Sequence, residues 1–310
     1  MSEELDTTRP GGSTVLARTQ RGSLPSWRKV VDWLAFPTSL VLLLLVWHFA
    51  VKILDIQAYI VPTPWDVAKS AWAGIVIDPT SSQSLLYQTG VTLRGALLGF
   101  AIGSLAGITV AIVISESRLL EKVIMPYAIG VQSVPKIAIA PLVVIWFGSG
   151  FRSLVVLTIL VTLFPLLMNT YHGLHATDRD QIRLMRSMHA SRLRTLMWVR
   201  LPGAAPMIFA GLDVGIIYGL IGAIVAEFVS GTQGIGVTIL QYQYVNNTAG
   251  VFAALFVLGV AGIMLHLIIT WARGAVVFWD KQDRRRTARR TAVTPARTRT
   301  ESNREQFSWH

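Results

Sequence analysis

The sequence predicts an all-α polytopic membrane protein with about six transmembrane helices. Apolar residues make up 52% of its 310 residues, and charged residues only 15%. Several uninterrupted apolar runs reach the roughly 20 residues that cross a hydrocarbon core of about 30 Å. Cysteine is absent, so disulfides, thiolate metal sites and a cysteine nucleophile are excluded.

The apolar runs divide the chain into three regions. A mostly disordered polar head over residues 1–33 is too long, and too far from a small-residue cleavage site, for a signal peptide, so the first run is predicted to remain as a span. The basic tail over residues 280–310 is rich in Arg and Thr and is predicted to be disordered. Between them lies a transmembrane domain over residues 34–279, with spans at approximately 34–52, 89–114, 123–147, 152–174, 203–229 and 251–273.

The distribution of Lys and Arg orients these spans. The head, the 178–202 loop and the tail hold most of the basic residues, whereas the loops at 53–88 and 230–250 carry only Lys69. Basic residues are retained on the cytoplasmic side, so both termini are predicted to be cytoplasmic. The net charge of +11 lies beside the spans, where it attracts anionic lipid, and this location argues against nucleic-acid binding.

Small residues recur at helical spacing in two spans. A glycine stands at every fourth residue from Gly95 to Gly107 in the second span and from Gly211 to Gly219 in the fifth, with Gly222 beside the second stripe. Such faces allow close helix packing, which we favour over a direct role in a solute pathway.

Prolines in the third and fourth spans indicate interrupted helices. Pro126, Pro135, Pro141 and Pro165 each remove a backbone donor, which is tolerated where a helix lines a cavity or is packed by neighbours. A broken helix near mid-membrane is typical of a translocation path, and a packing kink is the equally weighted alternative.

Few charges fall within the spans. Lys136 stands beside Pro135, and Asp213 lies in the first half of the fifth span, where it is either a pathway or pairing residue or a structural carboxylate. His48 and His266 are predicted to be packed and neutral, and nothing near them gives metal-ligand spacing, so no metal site is expected. The chain also lacks G-x-S-x-G, H-E-x-x-H and any Gly-Lys dipeptide, so a phosphate-binding P-loop is excluded.

The basic loop at 178–202 is predicted to form an amphipathic helix. Ile182, Met185, Leu193 and Leu196 form an apolar stripe with His189 among them, and Arg183, Ser187, Ala190, Ser191 and Arg194 lie on the other side. Such a helix packs its stripe on the bundle and offers its basic face to a soluble partner, or else rests against lipid headgroups.

This loop resembles the cytoplasmic signature of the permease subunits of ATP-binding-cassette (ABC) importers, in the binding-protein-dependent branch that includes the aliphatic sulfonate, taurine and nitrate systems. The signature reads E-A-A, three residues, G, nine residues, I-x-L-P. Its ending matches Val199-Arg200-Leu201-Pro202, whereas its E-A-A falls on Arg183-Leu184-Met185 and its glycine on His189.

Other family fragments follow in the same order over about residues 34–279. They are Val61-Pro62-Thr63-Pro64, Thr92-Leu93-Arg94-Gly95, Pro135 with Pro141-Leu142 and Ile145-Trp146-Phe147-Gly148-Ser149-Gly150, Phe164-Pro165 with Asn169-Thr170 and Gly173, and Ala226-Glu227 with Gly234-Ile235-Gly236. Each fragment is weak alone, and their shared order is specific.

The resemblance implies a type I ABC importer (MetI-like) permease fold and a transport subunit, not an enzyme, in a bacterial-type cell membrane. Its expected partners are a second permease subunit, forming a homodimer, two cytoplasmic ATPases that bind ATP and Mg, and an extracytoplasmic solute-binding protein. No cofactor is expected on this chain, and the solute is expected to be a small anion such as a sulfonate, taurine or nitrate. The expected ATPase-coupling residues are Arg183, Met185, His189, Ser191, Leu201 and Pro202, and the expected pathway residues are Pro135, Pro141, Phe164 and Asp213.

Other classes of protein remain as alternatives. A secondary transporter working without an ATPase would need internal repeats and ionisable coupling residues at mid-membrane, and no convincing repeat is evident. A membrane-embedded enzyme would need paired acids, histidines or a nucleophile in one leaflet. A third alternative is a related permease whose degenerate loop has lost its ATPase.

Overall fold

The computed structural model describes residues 26–77 and 80–278, and these residues are almost entirely helical. The predicted disordered tail, and the predicted head up to residue 25, lie outside the described residues. The helices are α1 (Ser26–Ile53), α2 (Pro64–Val76), α3 (Leu85–Glu116), α4 (Arg118–Gln132), α5 (Ala140–Phe147), α6 (Phe151–His175), α7 (Arg179–Ser187), α8 (Arg192–Thr195), α9 (Leu201–Ser230), α10 (Ile235–Tyr244) and α11 (Thr248–Val276).

The chain divides into two compact units, of which the first ends at Leu54. Its helix α1 has 28 residues and begins at Ser26, N-terminal to the predicted span 34–52. The stretch Pro37–Ile53 is apolar, and its aliphatic side chains from Leu40 to Val46 are exposed. Exposed aliphatic side chains along a continuous helix are typical of a segment that meets lipid.

In the described part of the second unit, four continuous helices are long and apolar enough to cross a membrane. They are α3, α6, α11 and the run Arg192–Ser230, which ends with α9. The predicted spans at 89–114, 152–174, 203–229 and 251–273 lie within them, which confirms these spans as helices.

The third span, predicted at 123–147, carries the break that its prolines predicted. This span is broken between α4 and the single 3₁₀ turn Lys136–Ile139 that precedes α5, and its two parts are bent by 83°. At the break, the N–H groups of Ser133 and Val134 bond to carbonyls only three residues back. Pro135 follows without a backbone donor, so the helical ladder cannot continue through it.

The core of the second unit is the contact of α6 with α3 on one side and α9 on the other. On α3, Cβ atoms added at Gly99, Gly103 and Gly107 would lie within 3.0 Å of backbone carbonyls of α6, and one added at Gly95 would overlap Leu154. The glycines therefore allow the two helix backbones to touch, and the predicted packing face is confirmed.

The glycine face of α9 meets the same helix from the other side. A Cβ at Gly215 would lie 2.5 Å from Leu166, and one at Gly222 would lie 2.7 Å from Val161, so Gly222 does extend the stripe. Where the two glycine faces converge, α6 carries the fully buried Thr158 and Thr162. Small side chains in the middle of the sandwich let three helices pack at short distance.

We expect Gly107→Ala to destabilise the bundle by about 1–3 kcal/mol, because the added methyl group would lie 2.6 Å from the backbone oxygen of Leu163. Gly259→Ala on α11 is the matched control, since no atom lies within 4 Å of its added Cβ. Thermal unfolding of the detergent-solubilised chain measures both changes. Equal melting temperatures for the two variants would contradict backbone contact at Gly107.

Candidate functional site

The basic loop between α6 and α9 is built from two short helices and a π-helical turn. Helix α7 ends at Ser187, α8 begins at Arg192, and the π-helical turn Leu196–Arg200 leads directly into α9. The prediction of a single amphipathic helix is therefore wrong, because the chain turns sharply at His189. The backbone φ of His189 is +55°, in the left-handed region.

His189 closes α7 in the manner of a glycine. Its N–H donates to the carbonyl of Arg186, and the N–H of Ala190 donates to that of Met185. These two bonds form a Schellman motif, in which the residue at the turn adopts a left-handed conformation and is usually glycine. The glycine of the family signature falls on this residue, so the alignment and the geometry agree although the side chain differs. Histidine is among the residues that tolerate positive φ better than most.

The turn separates exposed from anchored coupling candidates. Arg183, His189 and Ser191 are exposed, whereas Met185, Leu201 and Pro202 are partly buried. Arg183 pairs with Asp180 at 3.0 Å, and Ser191 caps α8 by accepting from the N–H of Arg194. Of the predicted apolar stripe, Ile182, Met185 and Leu196 face the protein, and Leu193 is 65% exposed because the break at His189 rotates it away.

The C-terminal end of this loop is attached to the bundle by packing and by charge. Buried Leu196 packs in one cluster with Leu174 of α6 and Ala204 of α9, against partly buried Leu201. The guanidinium of Arg200 forms an ion pair with the carboxylate of Glu116 at the end of α3. A displacement of the loop would therefore be transmitted to α3, α6 and α9 together.

A cavity of about 280 Å³ lies where the broken span meets α6 and α9. The predicted pathway residues Pro135 and Phe164 both line it, together with Lys136 and, from α9, Tyr218 and Ile221. The Nζ atom of Lys136 lies 4.9 Å from the centre of the Phe164 ring and donates to the carbonyl of Gln132 at 3.1 Å. Pro135 signalled this site in the sequence, but its neighbour Lys136 was not selected as a pathway residue.

The other two predicted pathway residues lie elsewhere. Pro141 is exposed in the first turn of α5. Asp213 of α9 hydrogen-bonds with His266 of α11, and His266 borders a separate groove between these two helices. Nothing in the sequence indicated that Asp213 and His266 pair, because 53 residues separate them. Within the described residues, no group of three or more His, Asp or Glu side chains is arranged to hold a metal ion.

At the opposite end of α9, a buried carboxylate organises the loop that follows. Glu227 is 2% exposed; its Oε1 accepts from the hydroxyl of Thr92 at 2.6 Å and its Oε2 from the N–H of Gly236 at 2.7 Å. The N–H of Ile235 donates to the same hydroxyl. Gly234 adopts φ +117°, and a Cβ there would overlap the Glu227 carboxylate. The fragments Ala226-Glu227 and Gly234-Ile235-Gly236 were recognised in the sequence, but their mutual contact was not.

Comparison with known proteins identifies the family. The profile described as "Binding-protein-dependent transport system inner membrane component" matches residues 99–277. A probable ABC transporter permease protein of Haemophilus influenzae is 33% identical over 74% of this chain and 91% of its own length. The riboflavin transport system permease protein RibX of Chloroflexus aurantiacus is 32% identical over 80% of this chain and 92% of its own.

Relatives of lower identity carry names for several solutes. The formylaminopyrimidine transport permease ThiX of Halalkalibacterium halodurans is 29% identical over 78% of this chain and 94% of its own. The aliphatic sulfonates permease of Escherichia coli is 29% identical over 70% of this chain and 81% of its own length. The taurine permease of the same organism is 28% identical over 74% of this chain and 83% of its own. The nitrate permease of Leptolyngbya laminosa is 26% identical over 69% of this chain and 78% of its own.

The fold also matches a solved structure. The MetNI methionine ABC transporter in an inward-facing conformation aligns with a TM-score of 0.51 at 18% identity, over 70% of this chain and 98% of the matched chain. The fold is therefore the type I importer fold expected from the sequence. The chain belongs to the family of inner-membrane components of binding-protein-dependent transport systems and is an ABC importer permease subunit.

Proposed function

We propose that two copies of this chain form the translocation pathway of an ATP-driven importer, with two cytoplasmic ATPases and an extracytoplasmic solute-binding protein as partners. ATP and Mg would be bound by the ATPases, and this chain would carry no cofactor. The observation that carries the proposal is the 178–202 loop, which presents an exposed basic turn and is anchored behind it to three helices of the bundle.

The two faces of the loop have different roles in this proposal. Arg183, His189 and Ser191 are exposed and would contact the ATPase. Met185, Leu201 and Pro202 are partly buried and would transmit its movement to the bundle. Alternating access then requires only that ATP binding favours one of two packing states, with the loop acting as a rigid lever.

The orientation that this function requires agrees with the charge distribution. The loop carries six arginines and would face the cytoplasm together with both termini. Helix α9 has 30 residues, or roughly 45 Å at 1.5 Å per residue, which places the Glu227 loop at the other end of the helix. The surface formed by the 53–88 and 230–250 loops would then receive the solute-binding protein in a multi-pass cell-membrane protein.

The solute pathway would pass the cavity at the broken span. Pro135 and Phe164 line this cavity and support the pathway role expected of them. Pro141 would contribute to the pathway by starting α5 after the break. Asp213 would act through its hydrogen bond with His266 between α9 and α11.

We propose a small solute with an anionic oxygen-bearing group, such as a sulfonate, taurine or nitrate. The support is the cavity lining, in which the charged residue is the cation Lys136, and the relatives named for sulfonates, taurine and nitrate. A flat heterocycle is the second candidate, because relatives are named for riboflavin and formylaminopyrimidine transport and the cavity contains the aromatic rings of Phe164 and Tyr218.

The alternative function is a secondary transporter that works without an ATPase. Paired ionisable residues inside a membrane span are typical of proton-coupled transport, and Asp213 and His266 form such a pair. The two mechanisms differ in whether an ATPase is required.

Pull-down of the tagged, detergent-solubilised chain from its native membranes separates these mechanisms. We expect an ATPase to co-purify with the wild type and to be lost from Arg183→Glu combined with His189→Asp, because both changes place acidic groups on the exposed face of the loop. Lys69→Glu is the matched control, since Lys69 is exposed on α2 outside this loop. The absence of an ATPase from the wild type in mild detergent would overturn the importer mechanism in favour of the secondary transporter.

We expect His189→Gly to stabilise the loop by about 1 kcal/mol, because glycine adopts φ +55° without a steric penalty. His172→Gly is the control: His172 is exposed within helix α6, where the same change should cost about 1 kcal/mol. Amide hydrogen exchange at Met188–Ala190 and thermal unfolding measure the difference. Destabilisation of similar size at both positions would show that the left-handed turn at His189 is unstrained.

The solute is tested by uptake into cells that produce the chain with its native ATPase and binding protein. We expect uptake of labelled taurine that unlabelled methanesulfonate reduces and unlabelled riboflavin leaves unchanged. Uptake of labelled riboflavin, with none of taurine or nitrate, would replace the anion with the heterocycle and leave the importer mechanism intact.

A further inference from the structure

The ammonium group of Lys136 has no acidic partner. Within the described residues it forms no ion pair, and its contacts are the Gln132 carbonyl at 3.1 Å and the Phe164 ring at 4.9 Å. An ammonium group has three N–H donors, so protein contacts leave donors available to the cavity. The rest of the lining is uncharged and consists mainly of proline, aliphatic and aromatic side chains.

Lys136 reaches the cavity because of the break in the third span. It is the first residue of the 3₁₀ turn after Pro135, where the chain bends by 83°. Its side chain lies beside the first half of the span and beside α6, whose Phe164 faces it. A continuous helix would have kept its backbone donors paired and its direction constant through this position. The cation is therefore held where the broken span, α6 and α9 meet.

Two further polar groups in the same cavity lack protein partners. Tyr218 of α9 and Gln132 at the end of α4 both line it. Within the described residues, neither the Tyr218 hydroxyl nor the Gln132 side-chain amide has a hydrogen bond to protein. Together with the Lys136 ammonium they supply O–H and N–H donors from three elements, namely α4, the 3₁₀ turn and α9. A ligand with several acceptor oxygens can be bound by all three groups.

A cation without a counter-charge inside a membrane span is costly, and such residues are usually paired or functional. The cost falls when an anion occupies the cavity. While no anion occupies the cavity, contact with the Phe164 ring stabilises the ammonium, because the face of an aromatic ring attracts a cation. A permanent carboxylate partner would compete with an anionic solute for Lys136. The described residues supply no such partner, which leaves the ammonium available to a transient anion.

We propose that Lys136, Tyr218 and Gln132 form an anion-selecting subsite in this cavity, with the Phe164 ring holding the ammonium in place. The inference rests on the proposed function in reading the cavity as part of the solute pathway. The subsite would take a small monoanion with several oxygen acceptors, such as a sulfonate. The cavity, at about 280 Å³, is slightly smaller than pockets for drug-sized ligands, whose volumes are about 300–1,000 Å³, as suits a small solute.

The natural absence of cysteine allows a test that needs neither the solute nor the ATPase. Ile221→Cys places one thiol in the cavity lining, on a different element from Lys136. The full-length variant in lipid nanodiscs is treated with an anionic sulfonatoethyl and a cationic trimethylammonioethyl methanethiosulfonate reagent. We expect Lys136→Met to lower the ratio of anionic to cationic labelling rates by about tenfold, because it removes the local concentration of anions. Lys136→Arg should retain the ratio.

The matched control is Ile263→Cys on α11. Ile263 is exposed and lines the separate groove between α9 and α11, so its labelling ratio should not respond to Lys136→Met. An unchanged ratio at Ile221→Cys would overturn the subsite. Equal changes at both cysteines, or a Lys136→Arg variant that behaves like Lys136→Met, would also overturn it, because Lys136 would then act on the shape of the bundle. If no ATPase co-purifies with the wild type in the pull-down, the importer mechanism is rejected, but the labelling ratios still test the subsite.

Discussion

The contact of α6 with two glycine faces is the constraint on which the rest of the structure depends. Glycines of α3 place that helix against the backbone of α6, and glycines of α9 do the same from the other side. Hydrophobic burial cannot drive this association inside lipid, so close van der Waals contact must hold the three helices together. Both the loop anchored by Leu196 and Arg200 and the network around Glu227 are built on these helices.

This rigid sandwich allows the third span to be irregular. Helix α5 packs against α6 and α9, and the same two helices line the cavity at the break, so protein supports the broken segment. Backbone that departs from a helix at membrane depth is tolerated where it is buried in protein or lines a cavity. The break at Pro135 thereby places a lysine between three helices, a position that an unbroken lipid-facing helix could not offer.

The sequence predicts the elements well because their determinants are local. Apolar runs of sufficient length marked the spans, and four-residue glycine spacing marked the packing faces. The basic loop was misread as one helix because its apolar positions fit helical spacing, whereas the left-handed turn at His189 is visible only in the backbone. The pairing of Asp213 with His266 and of Glu227 with Thr92 joins residues 53 and 135 positions apart. No local pattern encodes such contacts in a single sequence.

The two ends of α9 are secured by different chemistry. At the basic loop, the attachment includes the ion pair of Arg200 with Glu116, whose side chain is one-third exposed. At the other end, the Glu227 carboxylate is fully enclosed and is held by a hydroxyl and a backbone N–H. Dissolved ions screen exposed charge pairs far more than enclosed hydrogen bonds. Ionic strength therefore acts on the two ends of α9 unequally, because raised salt would weaken the Arg200–Glu116 attachment at the basic loop more than the hydrogen bonds of Glu227.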